Sequence, residues 1–234
     1  MTSPVPALRT VLFDLDGTLL DTAPDLAYAL NQVLLAEGCA PLPFERIRPV
    51  VSHGGKALIQ LGFGIDETNP AFAHLRQRLL EVYRANLARE TRPFPGMPEV
   101  LEGIHARGLN WGVVTNKPAW LTEPLLQALD LYAPAACVIS GDTLEQRKPH
   151  PAPMLHACAL TGSQAGQCLY VGDAERDIEA GRNARMHTLV ALFGYILDED
   201  RPAQWQADGL VSTPLEILDW VDRLRCEDGK QRPS

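Results

Sequence analysis

The sequence predicts a doubly wound α/β protein: a parallel sheet with helices on both faces and a small helical domain inserted after the first strand. Three observations carry that expectation. From residue 97 onward, short apolar runs alternate with stretches of helical spacing, the order that builds parallel sheets from βαβ units. Residues 21–92 hold helical patterns and no convincing strand. A chain of 234 residues with 46% apolar content is also long enough for one ordinary α/β domain and a smaller insert. The expected division is a sheet domain over 1–20 and 93–225, an insert over 21–92 and a polar tail over 226–234.

Val11, Leu12 and Phe13 form an apolar run ended by acid and glycine, as a strand buried on both faces reads where it leaves a parallel sheet. Leu26, Leu30, Val33 and Leu34 recur at helical spacing between Ala23 and Glu37, with Pro24 suited to the first turn and Gly38 as the stop. Val50 to Lys56 reads as a loop feeding a short helix that ends near Leu61. Phe72, Leu75, Leu79, Leu80, Val82, Tyr83 and Leu87 give a third helix, from about Pro70 to Arg89, its buried stripe. The Pro and Gly cluster from Thr91 to Gly96 marks the return to the sheet domain.

Beyond it the chain alternates. Strands are expected at Leu109 to Thr115, Cys137 to Ser140, Cys168 to Val171 and Thr188 to Ala191. Helices are expected at Met97 to Arg107, Ala119 to Leu129, Pro151 to Leu160, Glu175 to Ala184 and Pro214 to Leu224.

Composition narrows the partners. A net charge of −8 offers no clustered basic footprint for nucleic acid or an anionic membrane, so an anionic ligand must be attracted locally. Met1 to Arg9 lacks the apolar core of a signal peptide, and no run approaches the ~20 apolar residues of a membrane span. A cytoplasmic monomer or homodimer is expected. The five cysteines lack Cys-x-x-Cys spacing and read as free thiols, with Cys137 and Cys168 as small core residues. The histidines form no metal-binding pattern, which argues against zinc. Gly54-Gly55-Lys56 lacks the wider spacing of a P-loop.

Alternation along the first strand puts Asp14 and Asp16 on one side, at the carboxyl end where open α/β sheets bind ligands. Two close carboxylates repel, and the usual remedies are a shared proton or a divalent cation. With a metal screening them, one could attack an electrophile while the other shuttles a proton. Taken alone, the pair reads equally well as strand-end acids bounding a loop.

The flanks shift that balance. Asp14-Leu15-Asp16-Gly17-Thr18-Leu19 after a buried strand resembles the first motif of the haloacid dehalogenase-like superfamily of phosphotransferases. The resemblance implies that Asp14 is a nucleophile forming an aspartyl-phosphate and that Asp16 is the general acid and base. A second acid in this motif points to phosphoryl transfer, away from carbon–halogen hydrolysis.

Three further strand ends complete the pattern. Thr115 and Asn116 follow Val113-Val114, just before a helix whose free N–H groups favour an anion; Thr115 alone would read as a helix cap, and the family binds phosphate there. Lys148, in Lys148-Pro149 leading into a helix, resembles the third motif and would offset charge on the transferred phosphoryl group. Arg147 and His150 beside it carry no assigned role. Gly172-Asp173 with Asp177 four positions on resembles the fourth motif. Asp173 is the natural metal ligand, and Asp177 can orient it. An all-oxygen site suits Mg²⁺, with a shell that the resemblance implies: the Asp14 carboxylate, the Asp16 main-chain carbonyl and the Asp173 carboxylate.

In the family an insert at this point is a cap that closes over the site and selects the substrate. His53, Gly54, Gly55 and Lys56 form the candidate specificity loop, with Lys56 or His53 meeting the substrate's anionic end; a surface turn is the plainer reading. The closest subgroup is the phosphoglycolate phosphatases. Many of these carry Gly-Asn-Gly where this chain has His53-Gly54-Gly55. Phe193-Gly194-Tyr195-Ile196 and Trp205 resemble instead a branch acting on N-acetylmuramic acid 6-phosphate. The expected substrate is 2-phosphoglycolate, with the muramic ester as the alternative. A phosphate-binding protein without turnover has no need of Asp14 beside Asp16.

Overall fold

A computed structural model describes residues 7–229. Its centre is a six-stranded parallel sheet of β1 (Thr10–Phe13), β4 (Asn110–Val114), β5 (Val138–Ile139), β6 (Cys168–Gly172), β7 (His187–Ala191) and β8 (Gly209–Val211). The strand order is β5-β4-β1-β6-β7-β8. Construction runs outward from β1 to one edge, then restarts at β6 and runs to the other, so the direction of winding reverses between β1 and β6. Open sheets bind ligands at that reversal. Val11 pairs with Trp111 on one side and Leu169 on the other, which sets the ends of β1, β4 and β6 level.

Side chains of β1 explain both layers. Val11 and Phe13 face a core shared with α5 (Met97–Ala106) and α9 (Glu216–Gly229), through Val100, Ile104, Ile217 and Val221. Leu12 faces the opposite core, formed with Met154 and Ala157 of α7 (Ala152–Thr161) and Ala180 of α8 (Glu175–Asn183). A helix on each face requires a strand apolar on both, as this one is. Helix α6 (Ala119–Ala128) follows β4.

The insert is helical: α1 (Ala23–Ala36), α2 (Phe44–Ile47), a 3-10 helix over Arg48–His53, α3 (Gly54–Phe63) and α4 (Phe72–Ala85). Its apolar residues, including Leu30, Leu58 and Leu79, are continuous with the first of the two sheet cores. The chain enters and leaves it through an antiparallel ribbon of β2 (Leu20–Asp21) and β3 (Arg92–Pro93), with Leu20 opposite Pro93 and Asp21 opposite Arg92. Asp25 of α1 clasps the return, accepting hydrogen bonds from the backbone N–H groups of Glu90 (2.9 Å) and Thr91 (3.0 Å) and from Thr91 Oγ1 (2.7 Å).

Several expectations are corrected. Val50 to His53 is 3-10 helix, and Gly54 to Lys56 is the first turn of α3, so this segment is no loop. Gly54 turns the chain at a positive φ of 74°. The closing helix starts at Glu216 and continues to Gly229, over the start of the expected polar tail; 230–234 lie outside the described residues. β8 was not expected: three residues are too few to show a period. Cys137 and Cys168 are buried core residues, and all five cysteines are free. Among the described residues no helix is long and apolar enough to cross a membrane.

Candidate active site

The ends of β1 and β6 deliver the acids. The Asp14 N–H donates to Val171 O (2.9 Å), which continues the ladder one residue past β1 and fixes where its carboxylate emerges. Asp173 follows β6. Asp177, in the first turn of α8, accepts the Ala174 N–H at Oδ2 (3.0 Å), so the helix start holds it in place. One oxygen from each of these three buried acids lies within 4.8 Å of the others.

Lys148 offsets part of that charge. Its Nζ is 2.8 Å from both Asp14 Oδ1 and Asp177 Oδ1, and it donates to the Tyr170 hydroxyl at 2.8 Å. Tyr170 in turn donates to Val114 O (2.8 Å). Burial works against the charge on Asp14, but Lys148 and Arg176 outweigh it and hold that carboxyl below its ordinary value. Burial likewise opposes the charge on Lys148, and the two carboxylates reverse the balance and raise its pKa.

Asp173 has no such cation beside it. Burial, then Asp14 and Asp177, push its pKa up to about 7. It accepts from Thr18 Oγ1 (3.2 Å), Ser52 Oγ (2.6 Å) and the Tyr195 N–H (2.9 Å). Ser52 Oγ also reaches the main-chain oxygen of Asp16 at 3.4 Å. The excess negative charge therefore collects where three oxygen donors, the Asp14 and Asp173 carboxylates and the Asp16 carbonyl, can converge on a hard divalent cation. That donor set fits the expected metal.

Backbone shape permits the crowding. Gly17 has φ of 86°, and a Cβ there would stand 2.1 Å from Asp173 Oδ2. A Cβ at Gly194 would stand 2.4 Å from Asp173 Cβ. Only glycine fits either position.

The Asp16 carboxylate stands apart from this cluster. Its Oδ1 accepts from Lys117 Nζ (2.8 Å) and Thr22 Oγ1 (2.6 Å). A separate lysine for each thus offsets the repulsion between Asp14 and Asp16, in addition to the shared proton or divalent cation that such a pair calls for. Lys117 was missed. The available signal was its place in Thr115-Asn116-Lys117-Pro118, directly after a strand that flanks β1. Its side chain is only 7% exposed, its Nζ lies 4.5 Å from the Tyr83 ring centroid, and Asp16 raises its pKa against the effect of burial.

Other assignments shift. Thr115 is buried at the cleft wall, and its Oγ1 accepts the Lys117 N–H (3.2 Å). The Asn116 amide is spent on Lys148: Nδ2 donates to Lys148 O (3.0 Å), and Oδ1 accepts the Lys148 N–H (3.1 Å). It positions a cation where substrate contact was expected. The start of α6, read as an open anion site, is taken by Asp142, whose Oδ1 accepts the Ala119 N–H (2.8 Å).

At the insert, Lys56 pairs with Glu67 (2.5 Å) in an exposed salt bridge at the rim. His53 lies 3.5 Å from Arg176, and burial with that positive neighbour lowers its pKa. Arg176 Nη2 donates to Ser52 O (2.5 Å), joining α8 to the insert. Tyr195 is a support. Its hydroxyl donates to Asp21 Oδ1 (2.7 Å) and accepts the Ala23 N–H (2.9 Å). Trp205 packs on Ile178 and Val190, within the sheet domain.

Between the strand ends and the insert lies a cavity of about 320 Å³, with Asp14 and Asp16 at its floor and Arg76, Arg147 and Arg176 on its walls. It adjoins a wider groove that shares Arg76 and Arg147 and reaches Trp120.

Residues 11–191 match the family described as haloacid dehalogenase-like hydrolase. An N-acetylmuramic acid 6-phosphate phosphatase of Pseudomonas aeruginosa is 42% identical over 220 residues, 94% of this chain and 97% of that protein. A phosphoglycolate phosphatase of Xylella fastidiosa is 44% identical over 206 residues, 88% of this chain and 90% of that one. The crystal structure of a predicted phosphoglycolate phosphatase from Haemophilus somnus superposes with a TM-score of 0.81 at 29% identity, covering 91% of this chain and 97% of that one. Fold, motif order and relatives agree, and the chain belongs to the haloacid dehalogenase-like hydrolases as a phosphoric monoester hydrolase.

Proposed function

We propose that the protein is a Mg²⁺-dependent phosphatase that works through an aspartyl-phosphate on Asp14. The observation that carries this reading is the separate lysine for each acid. Asp14, ionised beside Lys148, is set to attack phosphorus. Asp16 has Oδ1 occupied by two donors, which leaves Oδ2 to carry a proton to the leaving oxygen. The same oxygen then takes a proton from the water that hydrolyses the aspartyl-phosphate. Lys148, held by Asn116, supplies fixed positive charge beside the phosphoryl group. Mg²⁺, held by Asp14, Asp173 and the Asp16 carbonyl, would screen the acids from the incoming phosphate and polarise it.

For the substrate, three arginines on the cavity wall of a chain with net charge −8 favour an ester that bears a second anionic group. Both esters named for the relatives carry a carboxylate. The cavity and the adjoining groove offer far more room than a two-carbon acid fills, and this favours N-acetylmuramic acid 6-phosphate. The second reading is 2-phosphoglycolate, supported by the motif set and the Xylella relative. Five free cysteines suit a reducing cytoplasm.

Phosphate release with Mg²⁺, measured for both esters side by side, tests this. A higher kcat/KM for the muramic ester is expected, and the reverse order assigns the small acid. Asp14→Asn should lower turnover by at least about 10³-fold while the fold persists. Activity retained in that variant would falsify the nucleophile assignment.

A further inference from the structure

The three arginines on the cavity wall are not equivalent. Arg176 is the inner one: of the three it acts most strongly on Asp14, and its Nη2 is committed to Ser52 O (2.5 Å). Arg76 of α4 and Arg147, which directly precedes Lys148, differ from it. Every acid that lines the cavity or the adjoining groove is engaged by another residue. Lys148 holds Asp14, Lys117 holds Asp16, Lys56 holds Glu67, and Glu81 accepts from the Gln77 amide (2.8 Å). Among the described residues, Arg76 and Arg147 are therefore left without a carboxylate.

Their position also sets them apart from the floor. Asp14 and Asp16 line the cavity alone, whereas Arg76 and Arg147 line both the cavity and the groove, so they stand where the two meet. One belongs to the insert and the other to the sheet domain. The stem of Arg76 passes beside Gly55, where a Cβ would stand 3.8 Å from its Cγ, so it runs along the wall that the segment from Val51 to Lys56 builds. Two guanidiniums on one cleft, with no acid left to them, raise its positive potential, and each can grip a carboxylate through two parallel N–H bonds. Beyond them the groove presents Phe72, Leu80, Pro118 and Trp120, a surface for the uncharged body of a ligand.

We infer that Arg76 and Arg147 together hold a carboxylate of the leaving alcohol, one that stands several bonds from the ester oxygen, and so bridge insert and sheet domain through the substrate. This rests on the phosphatase reading and narrows it. The substrate class is a phosphate ester of an acid with a body between its two charged ends. N-acetylmuramic acid 6-phosphate has that form, with a sugar ring between its lactyl carboxylate and its phosphate. 2-Phosphoglycolate lacks it, because its carboxylate is bonded to the carbon that bears the ester oxygen and stays with the phosphate at the floor. Specificity thereby moves from His53 and Lys56 to two residues outside that segment.

Methionine keeps an unbranched stem and removes the charge. In an Asp14→Asn background with Mg²⁺, calorimetry gives Kd for N-acetylmuramic acid 6-phosphate and for N-acetylglucosamine 6-phosphate, the same sugar phosphate without the lactyl carboxylate. 2-Phosphoglycolate and ethyl phosphate form a second pair, with and without a carboxylate. Arg76→Met and Arg147→Met should each weaken the muramic ester by roughly 10- to 100-fold. That loss should be at least about five times the loss for the glucosamine ester. Lys56→Met removes a rim charge already paired with Glu67, and its effect on the muramic ester should be at least about five times smaller than that of either arginine variant. Equal losses for the two sugar esters, no loss, no binding of the muramic ester, or an equal loss from Lys56→Met overturns the inference. A carboxylate-dependent loss confined to the 2-phosphoglycolate pair overturns it too, since the carboxylate would then lie at the floor. Failure of the phosphatase reading is read separately: protein that keeps Asp14 would release no phosphate from any of these esters, whatever the binding pattern.

Discussion

Lys148 and Lys117 perform the same task for acids two residues apart on one strand end, each with its Nζ 2.8 Å from a carboxylate oxygen, yet their surroundings differ. Lys148 is locked into the sheet domain by Asp14, Asp177, Tyr170 and, through its backbone, Asn116. Lys117 is shared: Asp16 holds its ammonium from the sheet side and Tyr83 of the insert covers it. Asp14 is thus held by lysine and tyrosine of the sheet domain, whereas the surroundings of Asp16 are completed by the insert. On the proposed mechanism the difference has a use: attack by Asp14 needs a rigid carboxylate, and proton delivery by Asp16 has to suit the leaving group.

The same substitution at each lysine separates the two roles. Lys148→Met strands Asp14 and Asp177 as buried, unpaired acids, and should cost ~3–5 kcal/mol in denaturant unfolding along with nearly all turnover. Lys117→Met exposes Asp16 to a cleft that water reaches, so a stability cost of about 1–2 kcal/mol and a fall in kcat of roughly 10- to 100-fold are expected. If both variants lose the same stability, the contrast between a closed and a shared network is wrong.

Acid titration sharpens the comparison within the cluster. Asp14, with its depressed pKa, contributes stability above about 3.8 that is lost as pH falls below it. Asp173 has the opposite sign. Its raised pKa gives stability that is complete below 3.8 and lost as pH rises through about 7. Chelator-treated protein should therefore lose roughly 5 °C of melting temperature between pH 5 and 8, and Mg²⁺ should restore it. A flat profile in chelator would remove Asp173 as the seat of excess charge. The smallest effect concerns Ser52, the insert's hydroxyl on Asp173 and the Asp16 carbonyl: Ser52→Ala should weaken Mg²⁺ binding, read by thermal shift, by about 10-fold or less.

The strand ends were legible because a strand buried on both faces must be apolar throughout, so the first polar residue marks the carboxyl end where ligands bind. Asp14, Thr115 and Asp173 stand out in the sequence for that reason. The partners that fix them are less visible. Ser52 and Lys117 look like ordinary polar residues, and their roles depend on which segments the fold brings together across more than a hundred positions. Tyr83 illustrates the limit. Helical spacing places it on the buried stripe, which it occupies, but periodicity says nothing about the Lys117 ammonium that its ring covers. Asn116 shows the other side of this: it lines the cavity as its neighbours suggest, but its side-chain amide is engaged by the main chain of Lys148.

The ribbon of β2 and β3 has an evolutionary consequence. The excursion from 22 to 91 begins and ends at facing positions of a two-residue ladder, with Asp25 clasping Thr91 just inside it. A chimera that takes this excursion from another hydrolase has to match those rungs, the apolar face shared with the sheet and the contacts of Thr22, Ser52 and Tyr83, while the acid pair's own strand keeps its neighbours on both sides. Substrate range can then drift by exchange of one contiguous cassette, provided the few contacts it makes with the acids are kept.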